Sequence, residues 1–119
     1  MKIPTFEDVS EAWLKYKKPN LRLSTWSVYE GHINNHFNDI KHLKINLVNI
    51  VKVERWITDR QEAAMNISTL RKIIVTFNQV MAYAVRHRYI DHNPLADAER
   101  PRGQGKDEGS TKINILKRN

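Results

Sequence analysis

The segment Asn66-Ile67-Ser68-Thr69-Leu70-Arg71-Lys72 sets hydroxyls and two cations at the point where a long amphipathic run begins. Ser68 stands where a helix cap is expected, and Arg71 and Lys72 then fall in the opening turn. A helix N-terminus is the positive end of the dipole, and Asp or Glu is its usual company. Each cation there costs about 0.3–1 kcal/mol unless an anion answers it. Free backbone N–H groups, hydroxyls and cations gathered in one turn form the donor set of a phosphate site. The plain alternative is two long side chains that bend into water. A milder copy of the pattern lies at Ser24, Thr25 and Ser27, with Arg22 just upstream and no acid.

The remaining reactive residues have quieter explanations. His32 and His36 are four apart, a metal-ligand spacing on a helix, but no third ligand is near and structural zinc wants four. His36 is expected at the core edge and His32 pointing outward. Glu7, Asp8 and Glu11 open the first helix, where they answer its dipole better than they would serve acid–base catalysis. Asp59 and Glu62 read as a solvated face. The sequence has no cysteine, which excludes disulfides, zinc-finger ligation and thiol catalysis. Glycine-rich phosphate loops, dinucleotide fingerprints and nucleophile elbows are also missing. Trp13, Trp26 and Trp56 each fall on an apolar stripe and read as core. No catalytic residue, metal site or cofactor is therefore expected.

The 119 residues carry a formal charge of +7 and a sequence pI of about 9.8, which favours a polyanionic partner. Hydrophobic residues make up 40%, enough for one modest core. No apolar run approaches the ~20 residues of a membrane span. Met1-Lys2-Ile3-Pro4-Thr5 holds no apolar signal region, so the glycosylation sequon at Asn66-Ile67-Ser68 is read as chance.

Periodicity predicts four helices. The first opens at Thr5 with Asp8 as its capping-box partner, runs through Phe6, Val9, Trp13 and Tyr16, and stops at Lys17-Lys18 before Pro19. The second starts at Ser24, with Trp26, Tyr29, Ile33, Phe37 and Ile40 as its stripe. Its opposite face holds Val28, Gly31, His32 and Asn35, where Gly31 could permit close approach of a partner. His42 to Val48 reads as a loop pinned by Leu43, Ile45 and Leu47, with a brief strand as the alternative. The third helix spans about Val51 to Ala64, with Val53, Trp56, Ile57 and Arg60 on successive turns. The fourth runs from Ser68 or Thr69 to about Arg88, burying Leu70, Ile73, Ile74, Phe77, Val80, Met81, Ala84 and Val85. Its other face has Lys72, Val75, Thr76, Gln79, Tyr83 and Arg86. Tyr89 and Ile90 are expected to close the core. Asn93-Pro94 forces an extended step, and Leu95 to Ala98 can add one turn. From Pro101 the chain turns glycine-rich and polar, which reads as a flexible linker.

The order of these pieces resembles the core-binding, SAM-like N-terminal domain of tyrosine recombinases, the phage-integrase group. The carrying residues are Thr5-Phe6, Leu23 to Tyr29, Ile45 to Ile50 and Ile67 to Leu70. The most specific stretch is Ala84-Val85-Arg86-His87-Arg88-Tyr89-Ile90-Asp91-His92-Asn93-Pro94-Leu95, followed by Arg100-Pro101-Arg102. Asn38-Asp39 departs from the pattern, since members often carry a glycine after the second helix. The resemblance implies an all-α, compact four-helix core-binding domain over residues 1–102 and a linker over 103–119 towards a separate catalytic domain. It implies a cytoplasmic, DNA-associated protein of a mobile element. The recombinase chemistry, with its tyrosine nucleophile, would lie in that later domain, so no catalytic residue carries over. The implied partners are double-stranded DNA at a core attachment site, the protein's own catalytic domain and further protomers in the synapse.

DNA contact is what carries over, through the starts of the second and fourth helices. Phosphates are expected on Arg22, Ser24, Thr25, Ser68, Thr69 and Lys72, with Ser27 a further DNA contact at the second helix start, and base edges on Arg71, Gln79, Asn35 or His32. The rival reading is a non-catalytic protein-interaction module with a solvated basic face, whose mark would be an exposed apolar patch near Val28, Val75 and Tyr83.

Overall fold

A computed structural model describes residues 2–99, so the expected linker at 103–119 and the Arg100-Pro101-Arg102 segment lie outside the described residues. Thr5 caps α1 (Phe6–Lys17) in a complete capping box: Thr5 Oγ1 accepts from the Asp8 amide, and Asp8 accepts from the Thr5 amide. The amides of Phe6 and Glu7 donate to the carbonyls of Leu43 and Lys41 at 2.8 and 3.0 Å. The start of α1 is thus closed by the 41–45 loop, and Thr5 and Lys44 form a single antiparallel bridge there. The loop reading of His42–Val48 holds, with a short 3-10 turn at Ile45–Leu47. Ile45 is buried and Leu43 half-buried, whereas Leu47 is exposed.

α2 spans Leu23–His36, α3 Ile50–Glu62 and α4 Ile67–Arg86. All four helices converge on an aromatic cluster of Phe6, Phe37, Trp56 and Phe77. Phe37 and Trp56 stack with their planes 3° apart and centroids at 4.9 Å, and Phe77 meets both edge-on. Around it lie Val9, Trp13, Ile33, Ile57, Leu70, Ile73, Ile74, Val80 and Met81, all buried. Phe37 and Ile40, expected on the stripe of α2, lie just past its end, and the chain turns there with both side chains still inward. The Trp56 indole N–H donates to the His36 carbonyl at 2.7 Å, and Arg60 reaches the same oxygen at 3.3 Å and Asp39 at 2.8 Å. α3 therefore supplies the partners that the last carbonyls of α2 lack.

α3 and α4 each end two residues earlier than periodicity predicts. At both ends the next-but-one residue takes a left-handed conformation, Ala64 at φ 60° and Arg88 at φ 64°. The amides of Ala64 and Met65 return to Gln61 and Arg60, and those of Arg88 and Tyr89 to Val85 and Ala84. These are Schellman closures made without glycine. Beyond α4, the Asn93 side chain accepts from the Leu95 amide and donates to Asn78, seating a 3-10 turn at Pro94–Ala96 with Leu95 buried.

Candidate nucleic-acid interface

α4 is capped by Asn66, not by Ser68. The Asn66 carboxamide oxygen accepts from the amides of Ser68 and Thr69 at 2.9 and 3.2 Å. Arg71 and Lys72 begin the second turn, where the dipole cost has already faded. Two amides counted towards a phosphate site are also already satisfied. Ser68, Thr69, Arg71 and Lys72 remain exposed. The start of α2 is the open one. Arg22, not Ser24, occupies the cap position, and no side chain closes the turn. Arg22, Ser24, Thr25 and Ser27 are all exposed beside it.

α2 and α4 run antiparallel. The Gln79 carboxamide N–H donates to the Tyr29 hydroxyl at 3.4 Å, and His32 Nδ1 meets Thr76 Oγ1 at 2.8 Å. Three residues forward on α2 thus match three residues back on α4. The two helix starts consequently sit at opposite ends of the pair, about 27 Å apart along the axis at 1.5 Å per residue. His32, expected outward, is half-buried in the seam against Thr76, which is fully buried. The Thr76 hydroxyl also reaches the Lys72 carbonyl at 3.4 Å. When its single proton goes there, His32 Nδ1–H is the donor in the shorter bond. Burial, then His36, then Lys72 lower the His32 pKa below 6.5, so the neutral ring is favoured. Burial and Arg60 do the same for His36. Gln79 is half-buried in the same seam, whereas Asn35 is exposed on the outer face of α2. A Cβ on Gly31 would meet only Asn35 Nδ2, at 4.0 Å, so the fold itself does not require glycine there.

The charge on this layer is one-sided. The twenty residues of α4 contain Arg71, Lys72 and Arg86 and no acid, and α2 holds Glu30 alone. α1 and α3 carry Glu7, Asp8, Glu11, Glu54, Asp59 and Glu62. No residue between 63 and 90 is acidic, nor any between 12 and 29. The sequence-wide charge concealed this, because residues 100–119 hold Arg100, Arg102, Lys106, Lys112, Lys117 and Arg118 against Asp107 and Glu108. Among the described residues no group of three His, Cys, Asp or Glu could hold a metal ion, and no helix is long and apolar enough to cross a membrane.

Comparison with known proteins agrees with this architecture. Residues 5–59 match the family described as phage integrase, N-terminal SAM-like domain. A prophage ps2 probable integrase of Lactococcus lactis subsp. lactis (strain IL1403) is 29% identical over 100 residues, covering 82% of this chain and 25% of that protein. The chain thus spans about a quarter of the length of that relative. A phage integrase SAM-like domain from Moorella thermoacetica, solved by NMR, superposes with a TM-score of 0.71 at 25% identity, over 88% of this chain and 92% of its own. An integrase-like domain from Bacillus cereus gives a TM-score of 0.77 at 16% identity over 87% and 91%, a likeness of fold. The all-helical architecture, the matched segment and these relatives make the chain similar to the N-terminal, SAM-like domain of the phage integrase family.

Proposed function

We propose that this chain is the core-binding domain of a tyrosine site-specific recombinase and grips double-stranded DNA through the α2·α4 layer, whose one acid is Glu30. Strand cleavage and rejoining would belong to a separate C-terminal domain of a longer protein, with further protomers completing the synapse. The observation that carries this reading is the one-sided charge of α4, laid beside a helix whose first turn no side chain closes. An approaching phosphate meets cations and free amides there and no carboxylate to repel it. The ~27 Å between the two helix starts corresponds to about eight base steps at 3.4 Å each. Arg22, Ser24, Thr25 and Ser27 would take phosphates at one end, and Ser68, Thr69 and Lys72 at the other. Arg71 and Asn35, both exposed, are free to turn towards base edges. His32 and Gln79 can do so only by giving up their bonds across the seam. The surrounding compartment would be the cytoplasm.

The test is a fluorescence-anisotropy titration with an attachment-site duplex and a scrambled one at several salt concentrations. Binding should weaken steeply with salt, with a log–log slope near −0.9 per phosphate neutralised. No binding to either duplex at low salt would overturn the proposal. It would leave the protein-interaction reading, for which Val28 and Val75 offer exposed apolar surface.

A further inference from the structure

At the end of the bundle where α1 stops, α2 starts and α4 stops, exposed aromatic rings and cations interleave. Tyr16 was expected in the core, yet it is 47% exposed. Its ring leans on Tyr83 with centroids 5.6 Å apart. The Arg86 guanidinium lies 5.9 Å from the Tyr16 ring centroid and donates to its hydroxyl at 3.3 Å, while the Lys17 ammonium stands 6.0 Å from the same ring. Lys18 sits over the Trp26 ring at 4.8 Å. Tyr83 continues the series to His87 at 4.1 Å, and His87 to Tyr89 at 6.3 Å. The segments that build this end, 12–29 and 63–90, contain no acid. Lys17 and Arg86 also suit the dipoles of the helices they close, which accounts for their sign but not for the exposed rings beside them.

Planar faces among unopposed cations match one ligand chemistry, a phosphodiester strand with accessible bases. A duplex offers phosphates but keeps its base faces stacked. An acidic peptide offers charge but no planar faces. We infer that this end, which adjoins the duplex surface at the start of α2, takes an unpaired strand, with phosphates on Lys17, Lys18, Arg86 and Arg88 and a base stacked on Tyr16. Arg88 allows a clean separation of binding from folding. It holds a left-handed conformation that glycine adopts without strain. Arg88→Gly therefore removes a cation while making the helix end more stable.

The probe is a labelled twelve-nucleotide oligothymidylate, titrated against the full chain in parallel with the attachment-site duplex. The wild-type chain should bind it in a salt-sensitive way. Tyr16→Ala should weaken oligothymidylate binding about tenfold and leave duplex binding unchanged. Tyr16→Phe, which keeps the ring, should bind as wild type does. Arg88→Gly should bind a few-fold more weakly although it melts higher. Arg71→Ala with Lys72→Ala should spare oligothymidylate binding. Unchanged affinity in both Tyr16→Ala and Arg88→Gly overturns the inference. So does competition by polyglutamate as effective as by oligothymidylate at equal charge, which would assign this end to an acidic protein. Failure here with duplex binding still lost in the Arg71/Lys72 variant leaves the function proposed above standing, and the converse result leaves this surface standing.

Discussion

α3 and α4 each carry three Lys or Arg residues, and they use them differently. On α3, Lys52, Arg55 and Arg60 are equalled in number by the acids Glu54, Asp59 and Glu62 on the same helix. Arg60 is committed inward: it bonds Asp39 and the His36 carbonyl, and it lies over the Trp56 ring at 5.2 Å. On α4, Arg71 and Lys72 are exposed, and no acid stands anywhere on the helix. Arg86 donates to the hydroxyl of Tyr16 and lies by its ring. A cation answered within the fold contributes to folding, whereas one left unanswered stands ready for an external anion. Total charge cannot separate the two cases, but the position of the nearest carboxylate can.

The largest effect expected from this contrast is on stability. Arg60→Ala should cost about 2 kcal/mol, because the charged hydrogen bonds to the His36 carbonyl and to Asp39 at the end of α2 are lost. The loss is read as a lower denaturant midpoint, and duplex affinity at a temperature where the variant is folded should not change. A variant as stable as wild type would show that the Arg60 contacts contribute nothing net. Asn66→Ala comes next, at about 1 kcal/mol, because it uncovers the amides of Ser68 and Thr69. The same uncovering should leave DNA affinity equal or higher, and a marked fall in affinity would place Asn66 itself at the interface. Ala64→Gly, at the end of α3, should shift stability by a similar amount in the opposite direction, since Ala64 holds φ 60°.

The smallest effect is a drift with pH. The folded-state pKa values of His32 and His36 lie below the unfolded value of 6.5, so the unfolded chain binds more protons between the two. Stability is full above about pH 6.5 and declines as pH falls through the folded-state values. Protonated His32 also adds a positive charge beside Lys72, so duplex affinity should rise over the same interval. Chemical denaturation and anisotropy at matched pH steps read the two trends, and a stability maximum below pH 6 would contradict the assignment.

Much of this fold is written in local patterns. The Thr5/Asp8 capping box, the apolar stripe of α1 as far as Trp13, those of α3 and α4, and the turn at Asn93-Pro94 are where spacing predicts them. The helix ends were misjudged because Ala64 and Arg88 occupy positions where glycine normally announces the stop. The cap of α4 was misjudged because Ser68 and Thr69 are plausible caps themselves, and only the backbone reveals that Asn66 reaches both of their amides. His32 looked outward because its helix alone gives no sign of an antiparallel neighbour offering Thr76. Tyr16 continues a perfect apolar spacing, yet the core ends one turn earlier, at Trp13 and Leu14. The acid-free stretches at 12–29 and 63–90 were visible in the sequence throughout, but their meaning required knowing which helices lie side by side.

The most direct test sets the two helices against each other in one experiment. Arg71→Ala with Lys72→Ala on α4 is compared with Lys52→Ala with Arg55→Ala on α3, two pairs of exposed cations removed with equal loss of charge. Both variants should melt within about 0.5 kcal/mol of wild type, as surface changes usually do. In salt-dependent anisotropy with the attachment-site duplex, the α4 pair should lose affinity and flatten the log–log salt slope by up to about 2, while the α3 pair should retain both. Equal losses in the two variants would mean that the protein is attracted to DNA by net charge alone, and the α2·α4 face would not be its DNA-binding surface.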